Sequence, residues 1–576
     1  MKVLLLDVGS TYIKYGIYDT LNKTEVPLQK IPFPTALVDE DTLFEVSIQE
    51  IENIITQIHD AAFNQGCCKS LISVQMHGYV LKYSGKTTNY ISWRDKRGDM
   101  TDPRLQNIDF CENGTALKQN LPVVGLCTFE NLEQQEFYTL GSYLSYILTG
   151  NNVTHITDAC ASGFYHAQTL EALPIFGGLK LPEVRTSVDK IGSYRGIEIY
   201  TPMGDHQISF HGSLAGDDKY LLNIGTASQI CTLASDYELY NGCEKRPYFS
   251  RKERLLTISG ITGGYQLYGQ QDSSHFLREV LEAVQKLPKR NEMLLGGGGA
   301  EIVYDEVRLY MEKHGIQCKK IEKNIGLEGL KMIADEICKP KVGTMLSELH
   351  FANFPILMKH CGLDFFIIDN EHGAFEYSMM ASLILNSRLC GMDGIIRLPD
   401  NSRSNITKFA DMGAQGFLLP MTNTAEDIKT VVQYAKYRPI GQRGISTNRA
   451  HTLYNPPKLD VYTKDANSKM KVYAQIETID GCNNIEEILN TEGVDGVFIG
   501  PNDLSSELDC LGETEPLFPY IERIAAAAQA ANKPWGIITT SAKLINHAKE
   551  HHVNFISYGS EINMLKNEGK KIREVL

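Results

Sequence analysis

Eight short apolar runs, separated by amphipathic stretches, fill the second half of this 576-residue chain and leave it few ways to fold. They are VGTML (342–346), FFIID (365–369), GIIR (394–397), GFLLP (416–420), KVYAQIE (471–477), GVFIG (496–500), WGII (535–538) and FISY (555–558). Short strand-like runs alternating with helix-like stretches are the pattern of βα units around a parallel sheet. Eight units in about 235 residues match the usual size of a TIM (βα)8 barrel, which carries its chemistry on the loops at the C-terminal ends of the strands.

The ionisable residues follow that rule. Asp369, Glu371 and His372 come after the second run, Arg397 ends the third, Glu477 ends the fifth, and Asp503 follows the sixth in IGPNDLS. Taken singly, Arg397 reads as a surface cation, Glu477 as a rim carboxylate and Asp503 as a helix cap. Taken together, they would converge on one mouth.

The rest of the composition narrows the function classes. The net charge is −14 and no basic stripe runs through either half, so nucleic acid is not an expected partner. No apolar run approaches the roughly 18 residues needed to span a bilayer, and the opening MKVLLLDVGS lacks the form of a signal peptide. A cytoplasmic protein without a membrane partner is expected. The thirteen cysteines are scattered, with no CxxC pairs at zinc spacing, and read as reduced thiols.

Two carboxylates without a neighbouring cysteine, Glu477 and Asp503, make a hard oxygen site suited to Mg²⁺ or Mn²⁺. Arg397 can hold a carboxylate or a developing enolate in fixed geometry. His372, next to Asp369, can transfer a proton. These parts suffice to break a carbon–carbon bond beside a 2-oxo acid without a Schiff-base lysine.

Residues 338–576 resemble the HpcH/HpaI family of metal-dependent class II aldolases through IDNEHGAF, IRLPD, DMGAQGFLLPM, YRPIGQRGIS, AQIET and GVDGVFIGPNDLS, in family order. The resemblance implies cleavage of a 4-hydroxy-2-oxo acid to pyruvate and an aldehyde. It implies Glu477 and Asp503 as ligands of Mg²⁺, Mn²⁺ or another divalent metal, His372 with Asp369 as the acid–base pair, and Arg397 as the group that steadies the enolate. Gln475 and Pro501 would lie beside metal and substrate. Asn370 and Asn502 stand where the family more often has a small residue, which bears on substrate range. The resemblance also implies a homo-oligomer formed through the barrel.

The first half opens LLLDVGSTYIKYGIYD, a strand ending near Asp7, a turn through Gly9, Ser10 and Thr11, and a returning strand. Small residues at such a turn let backbone N–H groups approach phosphate, and an Asp can organise Mg²⁺. LLNIGTASQI (221–230) repeats the signal at Gly225 and Thr226, and LLGGGGA (294–300), with Gly297 and Gly298, can accept an adenosine. Three such turns suggest two related lobes closing on ATP, although no internal sequence repeat is visible.

VQMHGYV (74–80), ISWRDKR (91–97), TLGSYLSYILTGN (139–151), ITDACASGFY (156–165), GDHQISF (204–210) and NIGTASQ (223–229) resemble the FGGY carbohydrate kinases of the actin-like, ribonuclease H-like ATPase superfamily. That resemblance implies Asp205 as the base that deprotonates a sugar hydroxyl, His77, Trp93 and Asp95 lining the sugar site, and Thr11 and Thr226 cradling the phosphates of ATP with its Mg²⁺. Only 73 positions separate Asn223 from Gly296, about half the family's interval, and the ARGxF-type signature is missing. Strands and a helix beside the ATP cleft are therefore expected to be shortened or absent.

The expected organisation is an α/β chain with kinase lobes at 1–199 and 200–337 and a barrel at 338–576. Two functions follow. One is a bifunctional catabolic enzyme that phosphorylates a sugar or sugar derivative and cleaves a 4-hydroxy-2-oxo acid. The other is an aldolase carrying an inactive sugar-binding or assembly module.

Overall fold

The computed structural model describes residues 1–575 except 107, 109–113, 168, 170, 226–227, 250–251, 264–266, 268–272 and 511–516. The chain divides into two compact units, Met1–Cys338 and Lys339–Leu576.

The first unit contains two sheets built on one plan. In the first, strand Lys2–Val8 pairs antiparallel with Tyr12–Asp19, which pairs antiparallel with Gln29–Pro32. On its other side Lys2–Val8 pairs parallel with Lys69–Val74, and that strand with Ile197–Tyr200. In the second, Lys219–Ile224 pairs antiparallel with Ser228–Ala234, and that strand with Arg254–Ile261. Its parallel side runs through Glu292–Gly296 to Gln317–Lys320. Each sheet thus has the order third, second, first, fourth, fifth. The repeat absent from the sequence is present in the topology.

The short interval between Asn223 and Gly296 does not remove a strand from this plan. It still holds Ser228–Ala234, Glu244–Pro247, Arg254–Ile261 and the helix Ser274–Gln285. The five-strand plan is therefore complete across the short interval among the described residues.

Between the two sheets lie two helices, Asp205–Ser213 and Ile325–Cys338. Ile208, Leu327, Leu330 and Ile333 pack with Val3, Leu5 and Leu71 of the first sheet. Phe210 and Ile325 pack with Leu221, Cys231 and Leu255 of the second. The helices cross at Gly212 and Gly329, where an added Cβ would stand 2.0 Å from the Ile325 carbonyl oxygen or 2.1 Å from that of Ile208. Backbone meets backbone at this point, and only glycine permits it. The helix preceding Lys339-Pro340 thus closes the first unit rather than opening the barrel.

The second unit is a closed barrel of eight parallel strands, Lys341–Leu346, Phe365–Asp369, Asp393–Arg397, Gly416–Leu419, Lys471–Ile476, Gly496–Ile499, Trp535–Ile538 and Phe555–Ser560. Successive side chains point to opposite faces. Phe365, Ile367, Ile395, Leu418, Tyr473 and Phe498 fill the interior. Phe366, Ile368, Ile396, Phe417 and Val497 pack outward on the helices. Burial on both faces explains why each strand reads as an unbroken apolar run. Gly536 makes room inside, since a Cβ there would lie 2.7 Å from the Phe498 ring.

Among the described residues no helix is long and apolar enough to cross a membrane, and the described cysteines are unpaired.

Candidate active sites of the two units

Strand parity brings the mouth of the barrel together. Asp369 continues the inward parity of Phe365 and Ile367, Arg397 that of Ile395, and Gln475 and Glu477 that of Tyr473. Asp369 and Arg397 are direct cross-strand neighbours. The guanidinium forks onto the carboxylate, Nε at 3.0 Å from Oδ1 and Nη2 at 2.7 Å from Oδ2. Its third nitrogen, Nη1, reaches Glu371 Oε2 at 3.1 Å. Burial works to raise the Asp369 carboxyl, but the Arg397 hydrogen bonds and charge, with the His372 and Glu371 backbone donors, hold it below the usual carboxylate range.

The sequence reading paired the His372 imidazole with Asp369. In the structure it is the His372 backbone N–H that donates to Asp369 Oδ1, at 3.2 Å. The imidazole is exposed, with Nε2 3.7 Å from Glu371 Oε2. Gly373 is obligatory in this turn, because a Cβ would lie 2.2 Å from the Asp369 carbonyl oxygen.

Glu477 is buried, accepts a 2.6 Å hydrogen bond from the Met421 N–H, and takes another from Gln475 Nε2. Gly500 keeps it in place, since a Cβ there would meet Glu477 Oε2 at 2.6 Å. Asp503 is exposed in the first turn of the helix Pro501–Cys510, which the buried Pro501 opens. It sits inside the helix rather than capping it. Burial raises the Glu477 carboxyl; the Met421 and Gln475 hydrogen bonds oppose this, and the charges of Asp503 and Glu371 add to it.

These residues fit a divalent cation. Among the contacts described for Glu477 there is no side-chain cation, and the neighbouring charges of Asp503 and Glu371 add to the raising of its carboxyl. Beside them the Oε1 of Gln475 is buried with no hydrogen-bond partner, an oxygen left over in a hard donor set.

In the first unit, Asp205 opens its helix with Gly204 as the preceding cap. Burial pushes its carboxyl up to about 7, with the Asp7 charge adding and Arg246 opposing. Asp7 accepts 2.8 Å and 3.2 Å hydrogen bonds from Ser73 Oγ and Lys14 Nζ. Gly9 and Thr11 turn the first hairpin, with the Gly9 N–H on the Tyr12 carbonyl and the Thr11 carbonyl accepting from Phe33. Gly297, at φ +87°, lies against the end of the strand that leads into Gly225, where a Cβ would be 2.5 Å from the Ile224 carbonyl oxygen. Gly298 faces open space. Thr226 lies outside the described residues.

The expected sugar-lining residues divide. His77 takes a left-handed backbone, φ 66°, and its Nδ1 lies 2.9 Å from the Ala161 carbonyl oxygen. Burial, then the Arg246 and Lys118 charges, push its imidazole down to about 3. Trp93 is half-buried, its carbonyl accepting from Asn120 Nδ2 at 2.9 Å. Asp95 is occupied: Oδ1 accepts from Arg97 Nε at 2.9 Å, and Oδ2 from Arg97 Nη2 and the Phe44 N–H, each at 2.8 Å. It fastens its own loop.

The family model for HpcH/HpaI aldolase/citrate lyase matches residues 355–567. A hydroxypyruvate/pyruvate aldolase of Roseobacter denitrificans is 32% identical over 224 residues, covering 38% of this chain and 85% of that protein. The chain belongs to the HpcH/HpaI family. Another similar protein is a 5-keto-4-deoxy-D-glucarate aldolase of Citrobacter koseri, 29% identical over 216 residues, 37% of this chain and 83% of that one. For the N-terminal region the likeness is to a crystal structure of gluconate kinase from Lactobacillus acidophilus, with a TM-score of 0.50 and 16% identity. It covers 58% of this chain and 89% of that chain, and shows that the fold is that of a carbohydrate kinase.

Two features carried no role in the sequence reading of this HpcH/HpaI member. Glu371 braces the Arg397 guanidinium and faces Glu477; its signal was the alternation 367, 369, 371 along the turn. In the kinase-fold unit, Glu244 accepts from Arg246 Nε at 2.8 Å and Ser259 Oγ at 2.7 Å, and also from Lys118 Nζ. This buried cluster stands beside Asp205, His77 and His206, and no motif announces it.

Proposed function

We propose that the chain is a bifunctional carbohydrate catabolic enzyme. Its barrel cleaves a 4-hydroxy-2-oxo acid of the 2-dehydro-3-deoxy sugar-acid type to pyruvate and an aldehyde. Its first unit phosphorylates a sugar or sugar derivative with ATP. The observation that carries the first part is Arg397, buried and braced by Asp369 and Glu371 beside the raised carboxyl of Glu477.

Glu477 and Asp503 would hold Mg²⁺ or Mn²⁺, with Gln475 and Pro501 beside them, and the bound ion supplies polarisation of the 2-oxo group. The protein's own groups do the rest. His372 takes the proton from the 4-hydroxyl. The C3–C4 bond breaks, its electron pair passes into the pyruvate enolate, and the C4 fragment leaves as an aldehyde. Arg397 meets the enolate charge with a fork already fixed by Asp369, so no reorganisation is required when charge develops. Protonation at C3 completes pyruvate. The test is pyruvate release from 2-dehydro-3-deoxy sugar acids with added Mg²⁺ or Mn²⁺; wild-type protein that releases none under those conditions defeats the reading.

In the first unit Asp205 is the base for the acceptor hydroxyl, and a carboxyl raised to about 7 suits a base at neutral pH. Asp7, Gly9 and Thr11 from one lobe, and Gly225, Thr226, Gly297 and Gly298 from the other, would hold ATP and its Mg²⁺. His77 and Trp93 would line the sugar, with Asp95 fixing the loop that carries Trp93. The similarity to a gluconate kinase supports a sugar or sugar acid as acceptor. One observation favours the alternative, a sugar-binding module without turnover: both oxygens of Asp95 are spent within the protein. ADP formation stimulated by a sugar or sugar acid decides between them. Exposed apolar side chains on the barrel, Leu389, Tyr454 and Val461 among them, support self-association, which light scattering at micromolar concentration would measure.

A further inference from the structure

Away from the strand-end carboxylates, three metal-ligand side chains converge on the helical layer of the barrel. Glu522 lies in the helix Phe518–Ala530. His547 lies in the helix Ala542–Glu550, and His551 caps that helix one turn later. A carboxylate oxygen of Glu522 and one nitrogen of each imidazole all lie within 4.8 Å of one another. Among the described residues this is the only such group of three.

The geometry is that of a transition-metal site. Glu522 Oε1 stands 3.4 Å from His547 Nε2 and 3.8 Å from His551 Nε2. With bonds of about 2.0–2.1 Å, tetrahedral Zn²⁺ holds neighbouring ligand atoms about 3.3–3.4 Å apart. One edge of the triangle already has that length, and the second exceeds it by less than about half an ångström. The spacing i, i+4 sets both imidazoles on one face of the helix.

Two further observations mark the site as built. His547 Nε2 is buried and has no hydrogen-bond partner, although Glu522 lies alongside. Its ring is fixed by a stacked contact with Phe518, centroids 4.1 Å apart. Behind it, Glu550 Oε2 lies 3.8 Å from Nδ1, beyond hydrogen-bond range but on the side from which a carboxylate orients a zinc-ligating imidazole. Arg523, the nearest cation in sequence, turns away to the Asn483 side-chain and carbonyl oxygens.

We propose that Glu522, His547 and His551 form a second metal site, for Zn²⁺ or a cation of its class, with water as the fourth ligand. Two nitrogens and one oxygen make a borderline donor set that favours Zn²⁺ over the all-oxygen preference of Mg²⁺. The ion would clip the two outer helices together. His551 belongs to the connection entering the N-terminal end of strand Phe555–Ser560, whereas Glu477 and Asp503 follow the C-terminal ends of theirs. The site is therefore separate from the mouth.

The test uses the full-length chain, stripped with chelator, supplied with saturating Mg²⁺ and titrated with Zn²⁺ by calorimetry, with Co²⁺ as an absorbing substitute. One equivalent of Zn²⁺ is expected beyond Mg²⁺, with a tetrahedral Co²⁺ spectrum and a raised Tm. Glu477→Gln should keep that equivalent. His547→Ala/His551→Ala, and separately Glu522→Gln, should weaken it by about 100-fold or more, and Glu550→Gln by about 10-fold, the scale of an orienting partner. Mg²⁺-supported pyruvate formation by these outer-helix variants should stay at the wild-type rate, which shows that they fold. The proposal is overturned if wild-type protein takes up no Zn²⁺ beyond Mg²⁺. It is equally overturned if Glu477→Gln abolishes the extra equivalent or the double variant binds as tightly as wild type.

Discussion

The barrel mouth and the kinase-fold cleft each hold a key aspartate, and the two are treated in opposite ways. Asp369 is gripped by a guanidinium and two backbone donors and kept ionised. Asp205 is half-buried, and desolvation together with the Asp7 charge raises it to about 7. The first is fit to hold a cation in place and unfit to accept a proton; the second is the reverse. The same side chain serves position in one unit and proton transfer in the other because its neighbours differ.

The strongest test of that contrast removes one chemistry and leaves the other. Glu477→Gln or Asp503→Asn deletes a ligand charge at the mouth, and metal-dependent pyruvate formation should fall by at least about 10³-fold. Sugar-dependent ADP formation by the same variants should be unchanged. Full metal-stimulated cleavage by either variant would show that the cation is held elsewhere.

The reciprocal variant is Asp205→Asn. Sugar-dependent ADP formation should drop by about 10²–10⁴-fold, the usual worth of a general base, with pyruvate release untouched. Equal ADP formation by wild type and variant would hand the first unit to the binding-module reading.

Arg397→Lys should cost about 10²–10³-fold in kcat/KM for cleavage, since an ammonium cannot reproduce a fork shared between Asp369 and Glu371. It should also free Asp369 to titrate nearer the ordinary carboxylate range. A rate near that of wild type would place the enolate away from Arg397.

The smallest effect is one of pH and stability. If Asp205 is the base, log kcat/KM of the kinase reaction should rise with pH to a plateau above about 7. A carboxyl raised on folding binds a proton that the unfolded chain has already lost, so it lowers stability progressively from its unfolded pKa near 4 up to its folded pKa near 7. Asp205→Asn should therefore raise the Tm of the first unit at pH 8 and leave it almost unchanged at pH 4. A Tm gain of equal size at both pH values would mean that Asp205 is not raised.

How far each site could be read from the sequence follows the same divide. The barrel was legible because strands buried on both faces are written as unbroken apolar runs, and parity then carries Asp369, Arg397, Gln475 and Glu477 inward. The direction of the His372 imidazole was not, because Asp369 captures the backbone of that turn and leaves the ring free to swing outward. In the first unit the glycine turns were visible. Those turns pointed to two related lobes, but the five-strand plan the lobes share was not visible, because topology repeats while side chains do not. Glu244, Arg246 and Lys118 escaped notice because Lys118 and Glu244, which meet there, are 126 positions apart and belong to no motif.

The crossing at Gly212 and Gly329 has a mechanical meaning. Where side chains interlock, helices can slip past one another by changing rotamers, but here there are no side chains to rearrange. Translation along either helix would drive carbonyl oxygens into the opposing backbone, so the two helices behave as a pin joint whose remaining freedom is rotation. Asp205 lies about two turns of helix from the pin, and the turns at Gly297 and Gly9 begin close to it as well, since a Cβ added at Gly296 would stand 2.9 Å from Ile325 and one at Gly326 3.4 Å from Asp7. A swing that moves the outer edges of the two sheets by ångströms leaves the carboxylate nearly still.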